Sequence, residues 1–208
     1  MLDKDISLRT GNPPILTDVY CDLTPPRTYL DHYAYLASLN ELSQSSCIEY
    51  ENLPIHFLGD PRLSRLKEKA CQQLFSAQAA KETDNQLLLH IRQLDDEIES
   101  WRLSIPANFR PVLVVPQHLP SYPLEVVAPC LIRQMCLQLE YHHIMTIVHT
   151  TVRKCTADTS DGIRDLHDVV HSSFDLSLEA SRSTMWCLKV LMRNFGPDAW
   201  RYGLLVPR

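Results

Sequence analysis

Residues 131–152, LIRQMCLQLEYHHIMTIVHTTV, decide how the rest of the chain is read. They contain neither Gly nor Pro, and they are apolar on more than one side. Leu137, Tyr141, Ile144, Val148 and Val152 form one stripe at helical spacing; Ile132, Cys136, Leu139, His143 and Ile147 form a second. A helix with two apolar stripes belongs in the middle of a bundle, covered by neighbours on both sides. Arg133, Glu140 and, just beyond the segment, Arg153 are its only charges. Gln, Glu and His interrupt it too often for a membrane span, which needs roughly 20 mostly apolar residues.

Outward from this helix, punctuation supports an all-helical chain. Only 5 of 208 residues are Gly, while 14 are Pro and fall mostly between periodic stretches. Residues 1–28 carry Pro13, Pro14, Pro25 and Pro26 with little periodicity, so extended chain lying on another surface is expected there. Tyr29 to Leu42 suits a first helix, and Ser43 to Pro54 a polar connection. Asp60 followed by Pro61 reads as an N-cap and first-turn pair opening a second helix, with Leu63, Leu66, Ala70, Leu74 and Ala77 inward. Thr83 and Gln86 make a capping box ahead of Leu87, Ile91, Leu94, Ile98 and Trp101. That third helix should stop at Ser104 or Ile105, before Pro106.

Residues 106–123 form a Pro-rich connection whose Val112 to Val115 run suits a short extended segment, after which the central helix starts near Pro129. Thr156 to Gly162 reads as a loop. A last helix over Ser173 to Phe195, with Leu176, Ala180, Leu188, Leu191 and Phe195 inward, ends at Gly196 and Pro197. The fold class is therefore all-α: an irregular helical bundle around a central buried helix, with no convincing sheet. Its division is an extended lead-in at 1–28, a helical domain at 29–195 and a tail at 196–208.

Several function classes find no support. A net charge of −5 and the lack of any Lys/Arg run leave no basic footprint for a phosphate backbone. So few glycines provide no phosphate-cradling loop. MLDKDISLRTG has no apolar h-region, so no secretory signal is expected. The 7 cysteines are irregularly spaced and read as reduced core thiols rather than zinc ligands.

Two carboxylate patterns are candidate metal sites. Asp95, Asp96 and Glu99 spell DDxxE, similar to the magnesium-diphosphate motif of helical terpene synthases. They fall away from the Leu94, Ile98 and Trp101 stripe, beside Arg92 and Arg102, and Arg92 with Asp96 is an i,i+4 pair suited to solvent. Glu140 with His143 is one Glu-x-x-His pair of the kind helical di-iron proteins use twice. The nearest second copy, Asp168 with His171, lies in a weakly helical region. No metal is expected at either pattern or at His142 and His149. No GxSxG or other nucleophile motif occurs. Neither catalytic nor cofactor-binding residues are assigned; the metal-dependent helical enzyme stays as the alternative.

Four stretches resemble the fungal-specific transcription factor domain, the helical regulatory region of zinc binuclear cluster regulators. Leu8 to Pro26, LRTGNPPILTDVYCDLTPP, is similar to the family's "LGRPxxIxDxDxDxxxP" through Gly11, Pro13, Asp18, Asp22 and Pro25. Leu94 to Pro111 is similar to its helix ending in Trp-Arg, carried by Trp101, Arg102, Ile105, Pro106, Arg110 and Pro111. LQLEYHHIMTIVH resembles "LHLxYHxxxILLHRP" through Leu137, Leu139, Tyr141, His142, Ile147 and His149. Ser177 to Leu191 resembles "CxxAARxxxxLL" through Ala180 and Arg182.

Asn12, Thr150, Thr151 and Ser177 depart from these patterns. Only the C-terminal part of the family's domain is matched, and no cysteine fits the zinc cluster. The resemblance implies a nuclear, transcription-related regulatory domain that works through protein partners, self-association or a small-molecule effector. It implies no DNA contact of the chain's own; a truncated, non-functional member is the further alternative. Without the family's preceding helices, the central helix is expected to leave apolar surface exposed.

Overall fold

The computed structural model describes residues 2–17, 20–24, 60–105, 107, 110–114, 124–155 and 163–195. The fold is all-α, and among the described residues no strand occurs. The described residues form five α-helices in order: α1 Leu2–Thr10, α2 Pro61–Ala70, α3 Asp84–Ser104, α4 Leu124–Thr150 and α5 Ile163–Phe195. The expected helix over Tyr29 to Leu42, its connection to Pro54, the loop at Thr156 to Gly162 and the stop at Gly196 and Pro197 lie outside the described residues.

Helix α1 occupies Leu2–Thr10, the part of the expected extended lead-in that precedes its prolines. Asp3 and Asp5 sit in its first turn, where carboxylates complement the helix dipole. Gly11 closes it with φ +71° while its N–H donates to Ser7 O at 2.9 Å, the left-handed stop that glycine adopts without strain. Apolar periodicity missed the helix because its buried face is mostly polar: Lys4, Asp5, Ser7 and Leu8 are all buried.

Helix α2 starts where expected. Asp60 has extended backbone, accepts from Arg62 N–H at 2.8 Å, and Pro61 fills the first turn. Leu63, Ala70 and Leu74 point inward, but Ala77 is exposed, because α2 widens into a π-helical turn at Cys71–Phe75 and ends before Ser76. Helix α3 follows the sequence closely. The Thr83 and Gln86 capping box forms, Leu87, Ile91, Leu94, Ile98 and Trp101 are buried, and the helix ends at Ser104.

Helix α4 begins at Leu124, ahead of Pro129, and is continued by a 3-10 turn at Thr151–Lys154. Its first stripe is fully buried, with Leu137, Tyr141, Ile144, Val148 and Val152 each at 5% exposure or less. That stripe packs with α2 and α3 into the main core, where the Trp101 and Tyr141 rings lie 6.3 Å apart. On this stripe α4 leaves no apolar surface exposed. The second stripe is less enclosed: Cys136 is buried, and Leu139, His143 and Ile147 are half-buried.

The most extensive helix pairing is α4 with α5. Helix α5 starts at Ile163, ten residues before the expected Ser173. Leu188 and Leu176 are only half-buried; the inward face is Ser173, Ser177, Ala180, Ser183, Cys187 and Leu191. Small side chains let two helix backbones approach closely, so this face packs by proximity rather than by bulk. Met135, Cys187 and Leu191 form a second, smaller core there.

Candidate functional site

The chemistry-bearing residues gather in two buried polar networks, one on each side of α4. The first joins α1, α2 and α4. Lys67 is 1% exposed, and its ammonium donates to Asp5 of α1 and Glu140 of α4. At the adjacent position of each helix Lys4 Nζ meets Glu68 Oε2 at 2.8 Å, with side-chain exposures of 5% and 9%. Lys4 also donates to Leu16 O, while Ile15 and Leu16 amides donate to the Asp3 carboxylate at 3.0 and 3.1 Å. These bonds fold residues 11–17 back onto α1. Charges taken out of water need partners, and each charge here has one.

His143 stands beside this network on α4. Burial, with the positive charges of Arg9 and Lys67 nearby and Asp5 opposing them, pushes its imidazole down to about 4. It is a neutral base in a charged pocket. Its partner in the Glu-x-x-His pattern, Glu140, is turned onto Lys67.

The second network surrounds the C-terminal end of α3. Trp101 Nε1 donates to Asp60 Oδ2 at 2.9 Å. Arg102 pairs with Glu99 at 2.7 Å and donates to Pro111 O at 3.2 Å. Arg110 donates to Ile105 O and Leu103 O at 3.2 and 3.1 Å, closing the carbonyl end of α3. Val112 N–H donates to Gln138 Oε1 at 3.1 Å, and Gln138 and His142 both donate back to Val112 O. The expected extended segment is thereby pinned to α4 without a strand partner. His149 adds a separate tie: its Nε2 lies 3.3 Å from Asp95 Oδ1 and its Nδ1 3.4 Å from Ser173 Oγ, so one ring joins α3 to α5.

These contacts account for the two metal patterns. Asp95 is half-buried and bonded to His149, whereas Asp96 and Glu99 face solvent. The DDxxE carboxylates therefore split between two environments. Glu99 is held by Arg102 rather than Asp96 by Arg92, and that pairing keeps Glu99 below the usual carboxylate range. Among the described residues, no three His, Cys, Asp or Glu side chains gather closely enough to hold a metal ion. Asp168 has no described side chain; His171 lies on the rim of an open groove of ≈ 550 Å³ between Leu113, Val114 and α5. Among the described cysteines all are free thiols, and burial pushes Cys71 up to about 11 and Cys187 up to about 12.

Sequence reasoning missed the first network. Lys4, Asp5, Lys67 and Glu68 sit at i,i+1 pairs with no apolar periodicity to mark them, and only α1's docking makes them internal. The second network and the His149 tie were marked in advance by the residues that resemble the fungal regulatory domain: Trp101, Arg102, Ile105, Arg110, Pro111, Tyr141, His142 and His149.

Over 152 residues, 72% of its length, the chain is 30% identical to the ABC-transporter-regulating transcription factor of Aspergillus fumigatus. Over 160 residues, again 72% of its length, it is 29% identical to the protein of the same description in Aspergillus oryzae. The chain is thus similar to part of fungal transcription factors. It spans 15% of the length of each of these relatives. No family model matches the chain, and no solved structure matches it. The likeness agrees with the resemblance read from residues 8–191. Among the described residues no helix is long and apolar enough to cross a membrane.

Proposed function

We infer that the chain is a helical regulatory domain of the fungal-specific transcription factor type, acting in the nucleus through protein partners, self-association or a small-molecule effector. One observation carries the inference: the residues shared with the family pattern spend their polar atoms on bonds inside the domain. Trp101, Arg102, Arg110, His142 and His149 bond across α2, α3, the 110–114 segment, α4 and α5. A motif used up in joining helices describes a scaffold for contacts, whereas a catalytic motif would present free groups to a cleft. The relatives' printed role in regulating transcription supports the same reading. In this proposal the domain proper is 29–195, residues 1–28 are a lead-in to it, and 196–208 is a tail.

The reading holds further that these 208 residues do not bind DNA unaided and catalyse no reaction. The test is to fuse the chain to an unrelated DNA-binding module and measure a reporter carrying that module's site. Reporter output should change relative to the module alone, and the change should vanish in a variant that breaks these bonds, such as His149→Leu. Unchanged output from a folded fusion overturns the reading. So does an electrophoretic shift showing specific nanomolar binding of the unfused chain to DNA.

A further inference from the structure

Helix α5 has an apolar line on the side opposite its packed face. Leu178, Met185 and Met192 are 48%, 68% and 50% exposed and follow one another at intervals of seven residues. Phe174 continues the line one turn earlier, partly covered by the Arg153 guanidinium 4.9 Å above its ring. A seven-residue interval keeps side chains on one face with only about 20° of drift per repeat, which makes such a line a seam for another helix. Solvent-facing helix positions ordinarily carry polar groups, so three large apolar side chains in register mark a face built to be covered.

The charges beside the seam say what covers it. They lie along one edge: Asp175, Arg182 and Lys189, again seven apart, with Arg193 following. The other edge carries Ser181 and Leu188, both uncharged. Along the charged edge the sign reverses from acidic at Asp175 to basic at Lys189 and Arg193. Arg182, between them, has its own partner in Glu179 at 3.8 Å. A two-fold axis perpendicular to α5 brings the charged edges of two copies to the same side and runs them in opposite directions. Asp175 of each copy then faces Lys189 of the other, and Met185 lies near the axis. A parallel pair would set the charged edge of each copy against the uncharged edge of the other and gain no such pairing.

We propose that the Leu178–Met185–Met192 face of α5 is a self-association surface whose occupant is a second, antiparallel copy of this chain. The proposal rests on the reading of the chain as a domain that works through protein contacts, and it supplies the contact. Sedimentation equilibrium of the full chain tests it. A reversible monomer–dimer equilibrium is expected, and Met185→Glu should raise the dimer Kd by about tenfold or more. Asp175→Lys should weaken the dimer, and Asp175→Lys combined with Lys189→Asp should restore it. Helical circular dichroism should be the same in every variant, because the substituted side chains face solvent.

A monomer at all concentrations overturns the proposal and assigns the face to another polypeptide or to a further segment of a longer chain. A dimer indifferent to Met185→Glu and to the charge exchange overturns it equally. A monomer that still changes reporter output removes only the dimer; a dimer without reporter effect removes only the regulatory reading.

Discussion

The indole nitrogen of Trp101 donates to Asp60 Oδ2 at 2.9 Å across the α2–α3 contact, so the carboxylate that caps one helix also anchors the end of the next. Asp60 is 1% exposed and serves three donors: the Arg62 amide, the Arg62 guanidinium and the indole. Asp60→Ala should cost about 2–4 kcal/mol, the sum of a lost cap and a stranded buried donor. Asp60→Asn keeps the cap and one acceptor and should cost clearly less. Urea denaturation followed by Trp fluorescence measures both. Equal losses would mean that Asp60 acts through its charge alone.

Lys67 is the most enclosed charge in the molecule's first network. Lys67→Met should destabilise by about 3–5 kcal/mol, because Asp5 and Glu140 are left facing each other without a cation. The triple variant Asp5→Asn, Lys67→Met, Glu140→Gln removes all three charges and should recover much of that loss. A triple variant no better than Lys67→Met would show that α1 is held by something other than charge balance.

Stability should fall with acid over a defined window. An imidazole in the unfolded chain titrates near its ordinary 6.5, whereas buried His143 is pushed down to about 4. Between those values the unfolded chain binds more protons, so stability is lost as pH drops from 6.5 toward 4 and is regained as pH rises. Burial lowers His142 in the same direction. Replacing the titrating ring by His143→Gln should flatten the pH dependence of the unfolding free energy in that window. Arg9, Lys67 and Asp5 face the ring. A slope unchanged in the variant would place the titration elsewhere.

Native thiol labelling separates the cysteines. Burial raises Cys71 to about 11 and Cys187 to about 12, which suppresses the reactive thiolate. Both should resist iodoacetamide until the chain unfolds, while half-buried Cys21 should label first. Mass spectrometry of the labelled peptides reads this directly. Rapid labelling of Cys187 in the folded chain would mean that the α4–α5 contact opens.

Local chemistry made some of these features legible in the amino-acid order. The Thr83 and Gln86 capping box, the Asp60 and Pro61 start and the Leu87 to Trp101 stripe depend only on neighbours within a turn or two, and all three formed as read. The inward place expected for Ala77 did not, because a π-helical turn at Cys71–Phe75 ends the helix before it. Helix α5's inward face escaped notice for a different reason. Serines and a cysteine line it, and an apolar pattern search passes over small residues whose value lies in allowing close approach.

By itself, then, the order of residues determined the all-α class, the central place of the 131–152 helix and the caps, since these follow from periodicity and short-range hydrogen bonding. Tertiary structure alone decided which charges are internal. Lys67, Asp5 and Glu140 lie 62 and 73 residues apart along the chain and have meaning only once α1 docks beside α2 and α4. It also decided which apolar faces are covered. The α4 stripe is sealed by α2 and α3, while the α5 seam stays open, because a helix can hide only the side its neighbours reach.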